Sequence, residues 1–527
     1  MKIESILVVG GGTSGWMTTS ALVKKFGKDV KISVIEGKTS NPVSVGESTI
    51  IYFNQFLDLV ELKDEDWMKH CDATYKTSIR FTNFRDGNGE IFEYPFGGIH
   101  DPSVFSQWSY IAAKYNLSPD SFCEFLNHNY FLAKHNRLTY NSNDTLKFNF
   151  KNNTAYHFDA GKFGKFLKTK FCKTVDTYRD DIVSVEKDEH GYVTSIIGSG
   201  GVKYSADLFV DCTGFKSLLL EHEMGSEFIS FKPFLSNDRA LVAHLEYTDR
   251  ETQVSNVTNC TALSSGWAWD IPLWKRIGTG YVYSSDFIDD DSAEKEFKKY
   301  IETEDVDLRK LNIKHGVHKD GWIKNVVGIG LSFGFIEPLE STGLVSTYRM
   351  INNLVEVLER RELNINGFDR DGYNYASRIA ILGYKDFVSL HYRLSNRVDT
   401  PYWRYQTEGK DWLELSDDAS LSGVIYKHNQ NGGTATSSYY QQVLMNHAFH
   451  HCWSSDNEAY AYIMAGMGQK PFGKLLYGQV HSQVELEDKD KKIEEVYQKW
   501  RKHVKMVEDY VKSLPTTFEF LKTNIYS

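Results

Sequence analysis

The chain has 527 residues, 41% of them apolar or aromatic, 25% charged and only 10 prolines, which suits two or three folded domains and excludes disorder, collagen-like repeats and a small disulfide scaffold. Sixty basic against 70 acidic residues leave a net charge of −10, so no overall positive field exists to draw in nucleic acid or an anionic membrane. Six scattered cysteines without a C-x-x-C pair read as free thiols, and with no signal-peptide pattern and no run of about 18 apolar residues, the expected location is the cytoplasm.

In chain order, a strand at Ile6 to Val9, a helix from Trp16 to Phe26 and a strand from Lys31 to Ile35 make a β-α-β unit, whose helical crossover demands parallel pairing. From Asp181 to Asp211 the period changes to two. Ile182 to Val185, a turn at Gly191, Tyr192 to Ile197 and a turn at Gly198 to Gly201 predict a β-meander that feeds a buried strand, Ala206 to Asp211. Further strands are predicted at Ala240 to Tyr247 and Thr279 to Tyr283. A glycine-rich junction at Gly328 to Gly343 leads into a helix with Met350, Leu354, Val357 and Leu358 on one face. Beyond about residue 365 the helical period dominates, and Ile493, Val496, Trp500, Val504, Val507 and Val511 form one stripe of a late helix. The expected organisation is therefore a catalytic core over 1–365 and a mainly helical region over 366–527 that completes a substrate pocket. Asn429 to Ser438 reads as a surface loop.

Gly10-Gly-Gly-Thr-Ser-Gly15 satisfies G-x-G-x-x-G directly after a strand and at the mouth of a helix. In that setting Gly10 permits the turn, Gly12 lets a pyrophosphate approach, Gly15 lets helix and strand pack closely, and the amides around Thr13 and Ser14 face the phosphates. Glu36 ends the second strand about 20 residues later, where a carboxylate accepts from an adenosine ribose. Asp211, which closes a strand before Cys-Thr-Gly, resembles the second flavin contact of many FAD enzymes. There is no second G-x-G-x-x-G after a strand for a nicotinamide cofactor, so the chain is not expected to reduce its own flavin. The cluster His447, His450, His451 and Cys452 raises a metal site, but without H-E-x-x-H or a carboxylate partner none is expected.

Gly266-Trp-Ala-Trp-Asp-Ile-Pro272 carries W-x-W-x-I-P, and with it the chain resembles the flavin-dependent tryptophan halogenase family. Val45 to Thr49, Ala73 to Phe81, Tyr156 to Asp159, Asp207 to Phe215, Asn237 to Ala240, Arg276 to Ser284 and Asn325 to Gly343 agree with it in the family's order. The resemblance implies an α/β fold of the FAD-binding, glutathione-reductase-like Rossmann type, with the meander and a helical C-terminal region. It implies reduced FAD, O2 and a halide as cofactor and co-substrates, and a separate NAD(P)H-dependent flavin reductase as partner. In the family the flavin chemistry makes hypohalous acid, which a lysine receives; the matching position is Lys76, and Glu340 matches the glutamate that assists it. By residue type alone Lys76 would be a snorkelling surface lysine.

The resemblance also places Ile182 and Leu331 against the flavin and the amides of Thr342 and Gly343 on the halide, while Ser341 or Thr342 is expected to cap the following helix. Trp267 and Trp269 would share one strand face as a shield that keeps substrate from the flavin. Phe96 and Trp453 are the candidate substrate-facing aromatics. The block from Val45 lacks the proline that usually ends it, and Tyr94 to Gly97 lacks the histidine-bearing loop of enzymes acting on free tryptophan, so the expected substrate is an electron-rich, indole-like aromatic. Two readings compete with a halogenase. An FAD monooxygenase would share the glycine loop but have no use for Lys76 or Glu340, and a non-catalytic flavin protein would modify no aromatic. The sequence leaves a homo-oligomer open.

Overall fold

The computed structural model describes residues 1–38, 46–97, 108, 111–112, 114–141, 143–410, 457–468 and 486–527. The chain forms two units, each assembled from three segments. Met1–Ala73, His157–Asp238 and Asn312–Tyr384 make the first; Thr74–Tyr156, Arg239–Leu311 and Lys385–Ser527 make the second. Among the described residues no helix is long and apolar enough to cross a membrane.

In the first unit, Ser5–Val9 is an apolar, β-branched run buried along almost its whole length, as a central parallel strand must be. It pairs in parallel with Lys31–Glu36 on one side and Leu208–Asp211 on the other. The full order is Trp322–Ile323, Val326–Gly328, Leu208–Asp211, Ser5–Val9, Lys31–Glu36, Asp176–Arg179, with only the edge pair Trp322–Ile323 and Val326–Gly328 antiparallel. This is the predicted β-α-β unit, with its helix at Thr13–Phe26. The predicted meander follows as Ile182–Lys187, Val193–Gly198 and Lys203–Tyr204. Leu7, Val9, Ile35, Ile196, Phe209 and Leu219 pack together beneath it, each fully buried side chain contributing about 1.5–3 kcal/mol. Helix Gly343–Arg360 buries the predicted stripe of Met350, Leu354, Val357 and Leu358.

The second unit is built on a seven-stranded sheet ordered Arg309–Asn312, Arg239–Leu245, Ile277–Tyr283, Gly266–Pro272, Val257–Ala262, Ser78–Thr82, Ile91–Pro95. The strands expected at 240–247 and 279–283 are present with ends shifted by two residues or fewer. Helix Asp290–Tyr300 starts on Asp289, whose side chain accepts from the Ser292 amide, and its Ala293 and Phe297 pack on Ala268, Tyr281 and Tyr283 of the sheet. Among the described residues after 385 the regular elements are helices, the longest being Leu486–Lys512. Near the last described residues, the Trp274 ring lies nearly parallel to Tyr526, centres 4.0 Å apart, and to Phe518, 5.3 Å apart, with the Arg250 guanidinium 4.1 Å from the indole centre.

Candidate functional site

Strand Ser5–Val9 stops at Gly10, whose φ of +121° is a glycine conformation and whose added Cβ would come to 2.2 Å of the Cys212 carbonyl oxygen. A Cβ on Gly15 would lie 1.9 Å from the Gly10 carbonyl oxygen. At Gly12 nothing among the described residues lies within 4 Å of that position, so the loop is closed at both ends and open in the middle. The N-cap residue, Gly12, makes no side-chain cap to the helix that begins at Thr13, which among the described residues leaves the first amides to a ligand. Thr13 Oγ1 instead donates to the Ala160 carbonyl at 2.9 Å, and Ser14 Oγ lies 2.6 Å from where a Cβ on Gly330 would stand. This cradle fits the pyrophosphate of FAD.

Glu36 closes its strand as expected, and its carboxylate is already placed by neighbours. Trp16 Nε1 donates to Oε1 at 3.0 Å, and Lys168 pairs with Oε2. Gly11 packs on it, since a Cβ there would meet Glu36 Cγ at 2.4 Å. The buried Asp211 carboxylate accepts on Oδ1 from the Thr213 amide and hydroxyl, at 2.9 and 2.6 Å, and on Oδ2 from the amides of Leu219 and Leu220, at 2.8 and 2.9 Å. Burial pushes its carboxyl up, and these four donors oppose that shift. Asp211 thus staples the 213–220 turn. Ile182 is half-buried against the core of the same unit.

A pocket enclosing about 280 Å³, its mouth included, is lined by Gly330, Leu331, Phe335, Thr342, Gly343 and Tyr384 among others. Helix Gly343–Arg360 begins at its wall. The expected cap is not formed. Thr342 has helical dihedrals, φ −86° and ψ −7°, where a capping residue is extended. Ser341, at φ +56°, donates its hydroxyl to Ser48 Oγ at 3.0 Å. The hydroxyls of Ser346 and Thr347 turn back to the Gly343 carbonyl, at 2.8 and 3.2 Å. Among the described residues the first amides of this helix are therefore available to an anion.

Glu340 ends the short helix Pro338–Glu340 and is 1% exposed. The loop before it is braced by groups that sequence reading did not single out. Asn237 Nδ2 donates to Glu337 Oε2 at 2.8 Å, the Glu337 amide donates to His315 Nδ1 at 3.1 Å, and the His315 ring stacks on Phe335. Burial lowers the His315 imidazole below its ordinary pKa, with the Glu337 carboxylate opposing, so the ring accepts as a neutral base. The signal was present in the quoted blocks, as a second carboxylate beside Pro338 and an asparagine at 237, but nothing local paired them.

In the second unit, Lys76 lies on strand Thr74–Lys76 with 0% exposure; it does not snorkel. Its ammonium stands 5.1 Å from the centre of the Phe96 ring, so two candidate residues are brought together. Trp267 and Trp269 share a strand face as expected, with ring centres 5.9 Å apart, and Gly280 makes room for the latter: a Cβ there would meet Trp269 Cη2 at 2.2 Å. Gly10, Gly12, Thr13, Ser14, Gly15, Glu36, Ile182, Asp211, Leu331, Glu340, Thr342 and Gly343 all belong to the first unit. Val45, Trp453, the cluster from His447 to Cys452 and the run from Asn429 to Ser438 lie outside the described residues.

A family model described as tryptophan halogenase matches residues 5–474. The 7-chloro-L-tryptophan 6-halogenase of Kutzneria sp. (strain 744) is 33% identical over 427 residues, which cover 76% of this chain and 81% of that protein. The VirX1 apo structure is similar with a TM-score of 0.90 at 41% identity, covering 100% of this chain and 99% of the other. A flavin-dependent halogenase from Xanthomonas campestris is similar with a TM-score of 0.84 at 27% identity, again covering 100% and 99%.

Proposed function

The chain belongs to the tryptophan halogenase family and is a flavin-dependent halogenase, and on that premise we propose that it halogenates an electron-rich, indole-like aromatic through Lys76, with Glu340 assisting. Reduced FAD, when bound, would give two electrons to O2, and O2 would be the oxidant that turns a halide into hypohalous acid, with water as the other product. The residues of the cradle fit that cofactor: the amides at Gly12, Thr13 and Ser14 hold the pyrophosphate, Glu36 accepts from the ribose, and Ile182 and Leu331 line the ring system. Asp211 serves by shaping the turn its carboxylate staples. The free amides at Thr342 and Gly343 hold the halide.

Lys76 donates an N–H to the hypohalous oxygen or, as a neutral amine, attacks the halogen, so that an N–X bond forms as the O–X bond breaks and the amine proton leaves with the oxygen as water, giving a haloamine. In the first form, the aromatic π pair attacks the halogen, the O–X bond breaks towards oxygen, and the oxygen takes a proton from the ammonium and leaves as water. The Glu340 carboxylate offsets the ring cation and accepts the ring proton, restoring aromaticity. Trp267 and Trp269 wall substrate off from the flavin. Because the chain has one dinucleotide turn, reduced flavin comes from a separate NAD(P)H-dependent reductase.

The observation that carries this reading is a lysine with no solvent exposure in a family that oxidises halide. Protein, FAD, a reductase, bromide and an indole should give a product in which bromine replaces hydrogen, read by mass spectrometry. Lys76→Ala should reduce product at least about 100-fold while flavin oxidation continues. A product carrying one added oxygen would instead make the protein a monooxygenase, and flavin turnover without any aromatic product would make it non-catalytic towards aromatics.

A further inference from the structure

We infer that His318 is a positioning residue for the pocket walled by Gly330 to Phe335: its doubly protonated ring fastens that loop to Glu221, so the pocket keeps its shape while the ring keeps its proton. The inference rests on FAD and halide occupying that pocket, as read above. Gly330, Leu331, Gly334 and Phe335 line it, and Phe333 packs behind them, its ring 2.7 Å from where a Cβ on Gly321 would stand. The Phe333 carbonyl accepts from the His318 amide at 2.8 Å and lies 3.0 Å from His318 Nδ1, while His318 Nε2 lies 3.1 Å from Glu221 Oε2. The His318 side chain is 2% exposed. A carbonyl oxygen can only accept, and so can an ionised carboxylate. Glu221 is ionised: burial raises its carboxyl, but the Lys314 ammonium, 3.2 and 3.1 Å from its two oxygens, and the His318 ring hold it below the usual carboxylate range. Both ring nitrogens therefore face acceptors, and both contacts are hydrogen bonds only when each nitrogen carries a hydrogen. A neutral ring must give one of them up.

The charged groups that face the ring are Glu221 and, behind it, Lys314, whose ammonium also stands 3.9 Å from the centre of the Phe228 ring. Strand Phe228–Ser230 presents the Phe228 ring to His318 edge-on, centres 5.2 Å apart, and the loop from Gly330 to Phe335 has no titratable side chain. Other bonds on the loop come from hydroxyls: Ser217 Oγ donates to the Ser332 carbonyl at 2.7 Å, and Ser332 Oγ to the Ile329 carbonyl at 2.9 Å. A hydroxyl does not titrate near neutral pH; an imidazole does. Glu221 belongs to helix Leu218–Glu223, where the amides of Leu219 and Leu220 bond to Asp211. The His318 bracket thus ties the pocket loop to the turn that Asp211 staples.

The test follows the His318 ring by NMR in protein made with isotope-labelled histidine, its signal assigned by its loss in His318→Asn, and measures FAD affinity by fluorescence over the same pH series. The expected result is an affinity that falls about ten-fold in step with loss of the ring proton. The fastened loop needs the protonated ring, so binding is full below that titration and weakened as pH rises through it. His318→Asn, whose amide N–H can donate to the Phe333 carbonyl without titrating, should bind FAD with an affinity that is flat over the same range. Glu221→Gln, whose amide can donate to Nε2 of a neutral ring, should do the same. An affinity that stays level while the ring titrates overturns the inference, as does a pH dependence that persists unchanged in both variants, which would put the titrating group elsewhere. If FAD binds at no pH, the reading of the pocket and this inference fall together. If FAD binds and bromide is incorporated while affinity ignores the ring, only the inference falls.

Discussion

Gly10 and Gly12 stand two residues apart and tolerate a side chain very differently. Gly10→Ala must place a Cβ at a positive φ and against the Cys212 carbonyl, so a loss of about 2–5 kcal/mol is expected, together with loss of FAD binding. Gly12→Ala meets no protein atom, so stability should change by less than about 0.5 kcal/mol while FAD affinity still drops, because the methyl occupies the space a phosphate needs. Thermal unfolding beside a fluorescence titration with FAD separates the two effects. These glycines were legible because their spacing has one physical use after a strand. Gly11 was not, because its constraint comes from the direction of the Glu36 side chain, and Lys168 was not, because an ion partner 132 residues away leaves no local pattern. The burial of Lys76 contradicts what its residue type predicts, and only the blocks around it singled it out.

At the scale of elements, period and burial agree. The stripe from Ile493 to Val511 was readable from spacings of three and four, and Ile493, Trp500, Val504, Val507 and Val511 are buried, with Val496 half-buried at the edge. Elements shaped by a distant partner were harder to read. The start of helix Gly343–Arg360 lacks the expected cap because the Ser341 hydroxyl is drawn to Ser48, and strand Ser78–Thr82 pairs with Val257–Ala262 across nearly 180 residues. Helix Thr517–Asn524 makes the point energetically. It has a complete capping box between Thr516 and Glu519, yet a helix of this length is not stable alone and depends on the stack of Phe518 and Tyr526 on Trp274. Trp274→Ala should therefore cost about 3–5 kcal/mol, and hydrogen exchange should show it as loss of amide protection concentrated in residues 516–527.

At the scale of the whole molecule, each unit depends on segments far apart in the chain. A protein stopped after Tyr384 keeps every segment of the first unit but loses the last segment of the second, including Trp403, whose indole N–H donates to the Leu263 carbonyl at 2.7 Å, and Trp500, which packs on Phe125. Its sheet would expose apolar side chains, and a larger share of it than of the full chain should be found in the insoluble fraction of a lysate. The alternation of segments also sets a timetable during synthesis. The first unit lacks its closing piece until residue 384 has left the ribosome, and the second until the segment Lys385–Ser527 has followed. At about 5–20 residues per second, strand Ser78–Thr82 waits roughly 9–35 s for Val257–Ala262 to be made, so the yield of active protein in a host cell should respond to elongation rate and chaperone supply as well as to the stability of the finished fold.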